Sequence, residues 1–161
     1  MPAGFDMIAA EPLISSAFFL ELDGTEVGAL QEVNGLDLEV DVVELKALGK
    51  NGVQMAEKTV GQSKKVSELT MKRIATRDNG SDDIWKWFGT IQKEGVGDAS
   101  RKKNRKNGSV VVYGTDNKEV SRWNFENAFV SKVSTSGMSA TTNDPVTETI
   151  TLQCENLQRK K

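Results

Sequence analysis

The sequence predicts a mainly β protein: two packed antiparallel sheets, a sandwich or small barrel, with one flanking α-helix. Three observations carry this. Asp23-Gly24 and four Asn-Gly pairs (Asn34-Gly35, Asn51-Gly52, Asn79-Gly80, Asn107-Gly108) punctuate the chain with residues that accept positive φ, the chemistry of tight hairpin turns. Between them, apolar and polar residues alternate with period two, as in Trp123 and Phe125 against Arg122, Asn124 and Glu126. Only residues 81–95 show a convincing helical period.

The elements follow in order. Residues 1–16 are small, mixed and aperiodic and read as an N-terminal arm, either a frayed end or a segment that orders against a neighbour. Residues 17–158 form one domain, with 159–161 as a tail. Phe18, Leu20 and Leu22 lead into Asp23-Gly24, and Val27 and Leu30 return, which predicts a hairpin over 17–31. Leu36, Leu38, Val40 and Val42 alternate with Asp37, Glu39 and Asp41, a half-buried strand with an acidic outer face. After Val43 the alternation breaks, and residues 46–64 read as a long glycine-bearing loop, either mobile or held by another molecule. Leu69 and Met71 then point inward, with Glu68, Thr70 and Lys72 outward.

Ser81 is placed to cap the helix, Asp82 and Asp83 suit its positive end, and Gly95 stops it. Ile84, Trp87, Phe88 and Ile91 form its core stripe, with Trp85 off that stripe. A polar loop over 95–109 carries Arg101, Lys102, Lys103, Arg105 and Lys106, and strands are expected from Val110 to Tyr113 and Glu119 to Val133. In the last strand Ile150, Leu152 and Cys154 share one face, and Thr149, Thr151, Gln153 and Glu155 the other. The expected core contains Leu36, Leu38, Leu69, Met71, Trp123, Phe125, Ile150 and Leu152.

Composition narrows the function. The chain has 161 residues, 37% of them apolar, enough for one core. With 21 basic and 23 acidic residues it is too balanced for a protein devoted to nucleic acid. It has no histidine, the commonest general base and metal ligand. Its single cysteine, Cys154, falls on an apolar face and reads as a small buried hydrophobe. No cofactor or metal is expected, since phosphate loops, dinucleotide fingerprints and metal-ligand spacings are absent from the sequence. The carboxylates Asp37, Glu39 and Asp41 recur at about 7 Å along one strand face, and a solvated polar wall explains them better than a cation site or an acid–base pair. The run 101–106 lacks interleaved aromatics, so it reads as a solvated loop ahead of a phosphate contact or a dock for an acidic face of another subunit. Met1 to Ser15 has no Lys or Arg, and no apolar run approaches the length of a spanning helix. The chain is expected to be made in the cytoplasm without a membrane anchor.

Several stretches, taken in order, resemble one family: Leu30-Gln31-Glu32-Val33-Asn34-Gly35-Leu36-Asp37-Leu38-Glu39, then Leu69-Thr70-Met71-Lys72-Arg73, then Asp83-Ile84-Trp85-Lys86-Trp87-Phe88, then Trp123-Asn124-Phe125-Glu126-Asn127-Ala128-Phe129. The chain is similar to the inner tube proteins of contractile phage tails and of extracellular contractile injection systems, over roughly residues 17–158. Members often carry an aromatic residue and a double glycine where this chain has Leu45 to Lys50 with a single Gly49.

The resemblance implies a structural subunit, not an enzyme. Six copies form a ring whose inner sheets join into one closed barrel around a channel, and rings stack into a tube that a contracting sheath drives forward. The partners it implies are further copies of the chain, a sheath protein, baseplate or hub and terminator proteins, and a cargo in the lumen. Production in the bacterial cytoplasm and a final place in a virion tail or injection particle follow.

On that footing alternation makes Asp37, Glu39, Asp41, Glu68, Thr70, Lys72, Thr147, Thr149, Thr151 and Gln153 the lumen-facing candidates. Within the long loop Lys46, Leu48, Lys50, Asn51, Val53, Met55, Lys58 and Val60 become the candidates for contact between rings. The basic loop residues Arg101, Lys102, Lys103, Arg105 and Lys106 are weaker contact candidates. The rival readings are the tube protein of type VI secretion, which shares the architecture, and a monomeric β-rich binding module.

Overall fold

The computed structural model describes residues 17–66, 68–77, 82–97, 99 and 101–161, and among them ten strands and two helices. The N-terminal arm, the Ser81 cap and Asn79-Gly80 lie outside the described residues. β1 (Ala17–Leu22) and β2 (Thr25–Leu30) form the expected hairpin, with Asp23 at φ 50° and Gly24 at φ 82°. β1 then pairs with β7 (Lys106–Tyr113), and β7 with β8 (Glu119–Thr135).

β8, 17 residues long, belongs to both layers. Its first half pairs with β7 and β10 (Asn156–Arg159), and its second with β9 (Thr147–Gln153). The change of layer falls where Asn127 takes φ 51° and the register slips between Val130 and Lys132, the bend a bulge produces. β9 pairs with β6 (Leu69–Ile74), and β6 with β3 (Glu32–Asn34). Only Gln31 separates β2 from β3, and its amide donates to the Lys72 carbonyl at 2.7 Å. Because β2 pairs with β1 and β3 with β6, the circuit closes into a small antiparallel barrel.

Its interior is filled by Leu20, Leu69, Met71, Val110, Phe125, Ile150 and Leu152, each at most 1% exposed. α1 (Asp83–Glu94) packs on β8, burying Ile84 and Trp87 with Phe88 and Ile91 half-buried beside them. Trp87 donates its indole N–H to the Asn104 carbonyl at 2.6 Å, tying α1 to the short helix α2 (Arg101–Asn104). The described cap of α1 is Asp82, whose side chain accepts from the amides of Ile84 and Trp85, and Gly95 at φ 73° ends the helix.

Four expectations are corrected. The polar loop over 95–109 contains α2, and β7 begins at Lys106 instead of Val110. Trp123 is half-buried at the rim of the core, its ring covered by the Arg159 guanidinium 5.2 Å from the centroid. Phe125 is the buried aromatic of that strand.

The long loop over 46–64 is a β-hairpin, β4 (Leu38–Leu48) and β5 (Gln54–Val66), turning through Gly49–Val53. Leu38, expected in the core, is 57% exposed on it, because β4 pairs with β5 in a two-stranded sheet over which no second layer lies among the described residues.

Candidate functional site

One face of the sheet β8–β9–β6–β3 is polar except at Ile74, which is half exposed at the end of β6. Thr70 lies opposite Thr151, Lys72 opposite Thr149, and Ile74 opposite Thr147. The wall continues to Asn34 and Glu32 on β3, opposite Thr70 and Lys72, and to Lys132 and Ser134 on β8, opposite Thr151 and Thr149. Its hydrogen bonds run along the surface. Gln153 donates its amide to Glu68 at 2.6 Å, Asn34 to Glu32 at 2.7 Å, and the Ser131 hydroxyl to the Thr151 carbonyl at 3.3 Å.

Seven of the sequence-predicted wall residues thus meet: Glu68, Thr70, Lys72, Thr147, Thr149, Thr151 and Gln153. Asp37, Glu39 and Asp41 do not join them, since they stand on β4 and its lead-in. Glu32, Asn34, Lys132 and Ser134 were missed. β3 has three residues, too few for an alternation, and the slip at 130–132 reverses the parity of β8.

The opposite face of the same sheet carries a buried ionic cluster that also escaped the sequence reading. Arg73 donates to Glu148 through Nε at 3.1 Å and through a terminal nitrogen at 3.0 Å. The same nitrogen reaches Asp82 at 2.6 Å. Thr76 donates to Asp82 at 2.7 Å, and the Trp85 indole to Glu148 at 3.0 Å. Asp82 therefore caps the helix with one oxygen and holds Arg73 with the other. Burial pushes its carboxyl up, but the Thr76 hydroxyl, the Arg73 guanidinium and the Ile84 amide together hold it below the usual carboxylate range. The cluster pins α1 to β6 and β9 directly behind the polar wall. A signal existed: Arg73 and Glu148 put charges at the inward positions of strands whose other inward residues are apolar.

The hairpin β4–β5 continues the barrel's own ladder. Asn34 lies opposite Thr70 and Leu38 opposite Val66, the same register on both sides of Gly35. Gly35 sits at φ 88°, and a Cβ there would collide with the Glu68 carbonyl, so glycine is required where the ribbon leaves the wall. Eleven residues of β4 project about 35 Å at strand rise. Expected contact residues Lys46, Leu48, Met55, Lys58 and Val60 lie on its strands, and Lys50, Asn51 and Val53 in its turn. Large apolar groups stand exposed along it.

The basic residues are largely engaged. Arg101 and Arg105 reach Glu155 at 2.9 and 2.6 Å, Lys103 reaches Glu94 at 3.0 Å, and Lys106 lies over the Trp87 ring. With Lys102 they border an open basin of about 440 Å³. Burial pushes the half-buried Cys154 thiol up, away from thiolate chemistry. Among the described residues no helix is long and apolar enough to cross a membrane, and no group of three or more Asp, Glu or Cys is placed to hold a metal ion.

Comparison with known proteins gives the architecture its context. The chain shares its fold with a subunit of the sheath–tube complex of an extracellular contractile injection system, PVC, in the extended state (21% identity, 98% of each chain covered, TM-score 0.71). It is equally similar to a chain of the anti-feeding prophage tube-terminating cap (21% identity, 100% and 99% covered, TM-score 0.72). Hcp1 from Salmonella typhimurium is more distant (14% identity, 91% and 86% covered, TM-score 0.51). No curated protein matches the sequence. The pattern of one family, described as T4-like virus tail tube protein gp19, matches residues 15–158, and the chain belongs to that family of tail tube proteins.

Proposed function

We propose that the protein is the repeating subunit of the inner tube of a contractile phage tail or phage-tail-like injection particle. Six copies close a ring, with their polar walls joined edge to edge around a channel, and rings stack into a rigid conduit. A heterologous contact generates the ring and a second, axial contact extends it without limit. Joining sheets across subunits leaves no exposed strand edge in the tube. One observation carries the reading: the same ladder presents a largely polar wall, rich in threonine, and continues into a ribbon along which large apolar side chains stand exposed.

The wall is passive. Threonine hydroxyls, with the Gln153 and Asn34 amides hydrogen-bonded along the surface, suit a smooth channel for cargo, and this subunit makes and breaks no bond. Sheath, baseplate or hub and terminator proteins are the expected partners, matching the assemblies in which its structural relatives occur. The protein is made in the bacterial cytoplasm and acts from the assembled particle. The phage-like branch is preferred to the type VI one because the fold agreement is closer, 0.71 against 0.51 in TM-score.

Negative-stain electron microscopy of the purified protein, with baseplate components added as nucleators, tests this. Rings of sixfold symmetry, or tubes with a central channel, are expected. A persistent monomer under nucleating conditions overturns the reading in favour of a monomeric binding module.

A further inference from the structure

The chain carries four Asn-Gly pairs, and the structure holds the three described ones differently. Asn-Gly is a dipeptide open to self-attack. Glycine has no Cβ, so its backbone nitrogen can swing onto the side-chain carbonyl carbon of the preceding asparagine. The attack needs two freedoms: an asparagine amide that can rotate, and a glycine nitrogen that can leave its place in the backbone.

Two of the pairs are held fast. Asn34 donates its amide to Glu32 at 2.7 Å, and Gly35, at φ 88°, is wedged against the Glu68 carbonyl. Asn107 holds the Asn127 amide on its Oδ1 at 3.0 Å. Gly108 sits within the barrel sheet, opposite Leu22 on β1 and Phe125 on β8, with no room for a Cβ. Asn51-Gly52 is free of such restraint. It lies exposed in the turn between β4 and β5. The Asn51 side chain makes no hydrogen bond among the described residues, and nothing stands within 4 Å of a Cβ built on Gly52. A single turn bond restrains the nitrogen, from the Gly52 N–H to the Gly49 carbonyl at 3.0 Å. That bond closes the end of a two-stranded ribbon, a structure marginal in water on its own.

We propose that Asn51 is a self-modification site: in the folded subunit it converts to a mixture of aspartate and isoaspartate, while Asn34 and Asn107 remain amides. Solvent base takes the Gly52 N–H proton. The nitrogen bonds to the Asn51 Cγ, the Cγ–Nδ2 bond breaks, and Nδ2 leaves as ammonia with a proton from water. The five-membered imide so formed has two carbonyls. Water adds to one of them, and the bond from that carbonyl to nitrogen breaks. Opening at Cγ gives aspartate. Opening at the main-chain carbonyl gives isoaspartate, whose backbone runs through the former side chain. The balance is one amide and one water in, one carboxylate and one ammonium out, with no oxidant or reductant.

The product differs from the parent in charge and in chain path. A carboxylate appears beside Lys50 and takes the formal net charge one unit below −2. Isoaspartate also lengthens the backbone inside a turn that the Gly49 amide closes on the Val53 carbonyl at 2.8 Å. The turn thus carries a chemical mark of the subunit's age. The inference is independent of the tube reading, since it concerns the dissolved subunit alone.

Incubation of the purified full chain at mildly alkaline pH, followed by peptide mapping with fragmentation mass spectrometry, tests this. The mass gain of an NH2-to-OH exchange is expected at Asn51. At Asn34 and Asn107 it is expected at least about tenfold more slowly, a barrier higher by about 1.4 kcal/mol. In urea the three positions are expected to react at similar rates, because the restraints on Asn34 and Asn107 belong to the fold. Asn51→Gln, with a side chain one methylene too long for the five-membered ring, is expected to lose the acidic species that the parent accumulates on ion exchange. An Asn51 that stays an amide in the folded chain, or an Asn34 or Asn107 that converts as fast as Asn51 there, overturns the inference.

Discussion

Replacing Arg73 by alanine is expected to lower the unfolding free energy by about 3–5 kcal/mol, because it strands two buried carboxylates without their cation. Arg73, Asp82 and Glu148 are 4%, 8% and 4% exposed, so water cannot take over the lost contacts. In a domain of this size that loss moves the melting point by on the order of 10 °C. The loss also propagates. Asp82 is the N-cap of α1 and Glu148 sits in β9, so the variant loosens the helix from the back of the polar wall.

Thermal unfolding of the dilute subunit checks it. The triple variant Arg73→Leu, Glu148→Leu and Asp82→Asn, which removes the charges together and keeps a capping side chain, is expected to recover most of the stability, since an apolar replacement of a whole buried ion cluster is often near neutral. An Arg73→Ala protein that melts like the parent places the cluster in solvent, contrary to the structure.

The second large effect is on assembly alone. Replacing residues 39–65 by a two-residue Asn-Gly turn joins Leu38 to Val66, which already face each other across the ladder. The barrel keeps every strand pairing outside the hairpin and keeps Leu36 and Val66 against the core. Its melting point is expected to stay within a few degrees of the parent, while rings and tubes disappear. Isolated two-stranded hairpins are marginal in water, so the deleted ribbon contributes little to the subunit itself. Tubes of normal length from this variant contradict the role assigned to the hairpin. A collapse in stability shows instead that the ribbon belongs to the subunit's own core.

How far the sequence disclosed this depends on distance and parity. The β1–β2 hairpin is legible because Asp23-Gly24 specifies its turn locally, and β9 because Thr149 to Gln153 alternates without interruption. The helix was legible from Ile84, Trp87, Phe88 and Ile91. The hairpin over 38–66 reads in sequence as half strand and half loop, because its apolar side switches between Val42 and Val43 and no single period spans it. Leu38 reads as a core residue because alternation reports an apolar face and not the molecule that covers it. Arg73 and Glu148 each mark an inward charge on their own strand, but their pairing is not legible locally because they are 75 residues apart. The wall was recovered on β6 and β9, where the register is regular, and lost on β8, where a bulge shifts it.

The central claim, that the threonine-lined wall faces the channel of a tube built from copies of this chain, is tested most directly by a cryo-electron microscopy map of nucleated tubes at side-chain resolution. The account predicts Thr70, Lys72, Thr149 and Gln153 on the channel surface, with the hairpin buried between copies. A map that places these four side chains on the tube's exterior, or inside a contact between subunits, contradicts it.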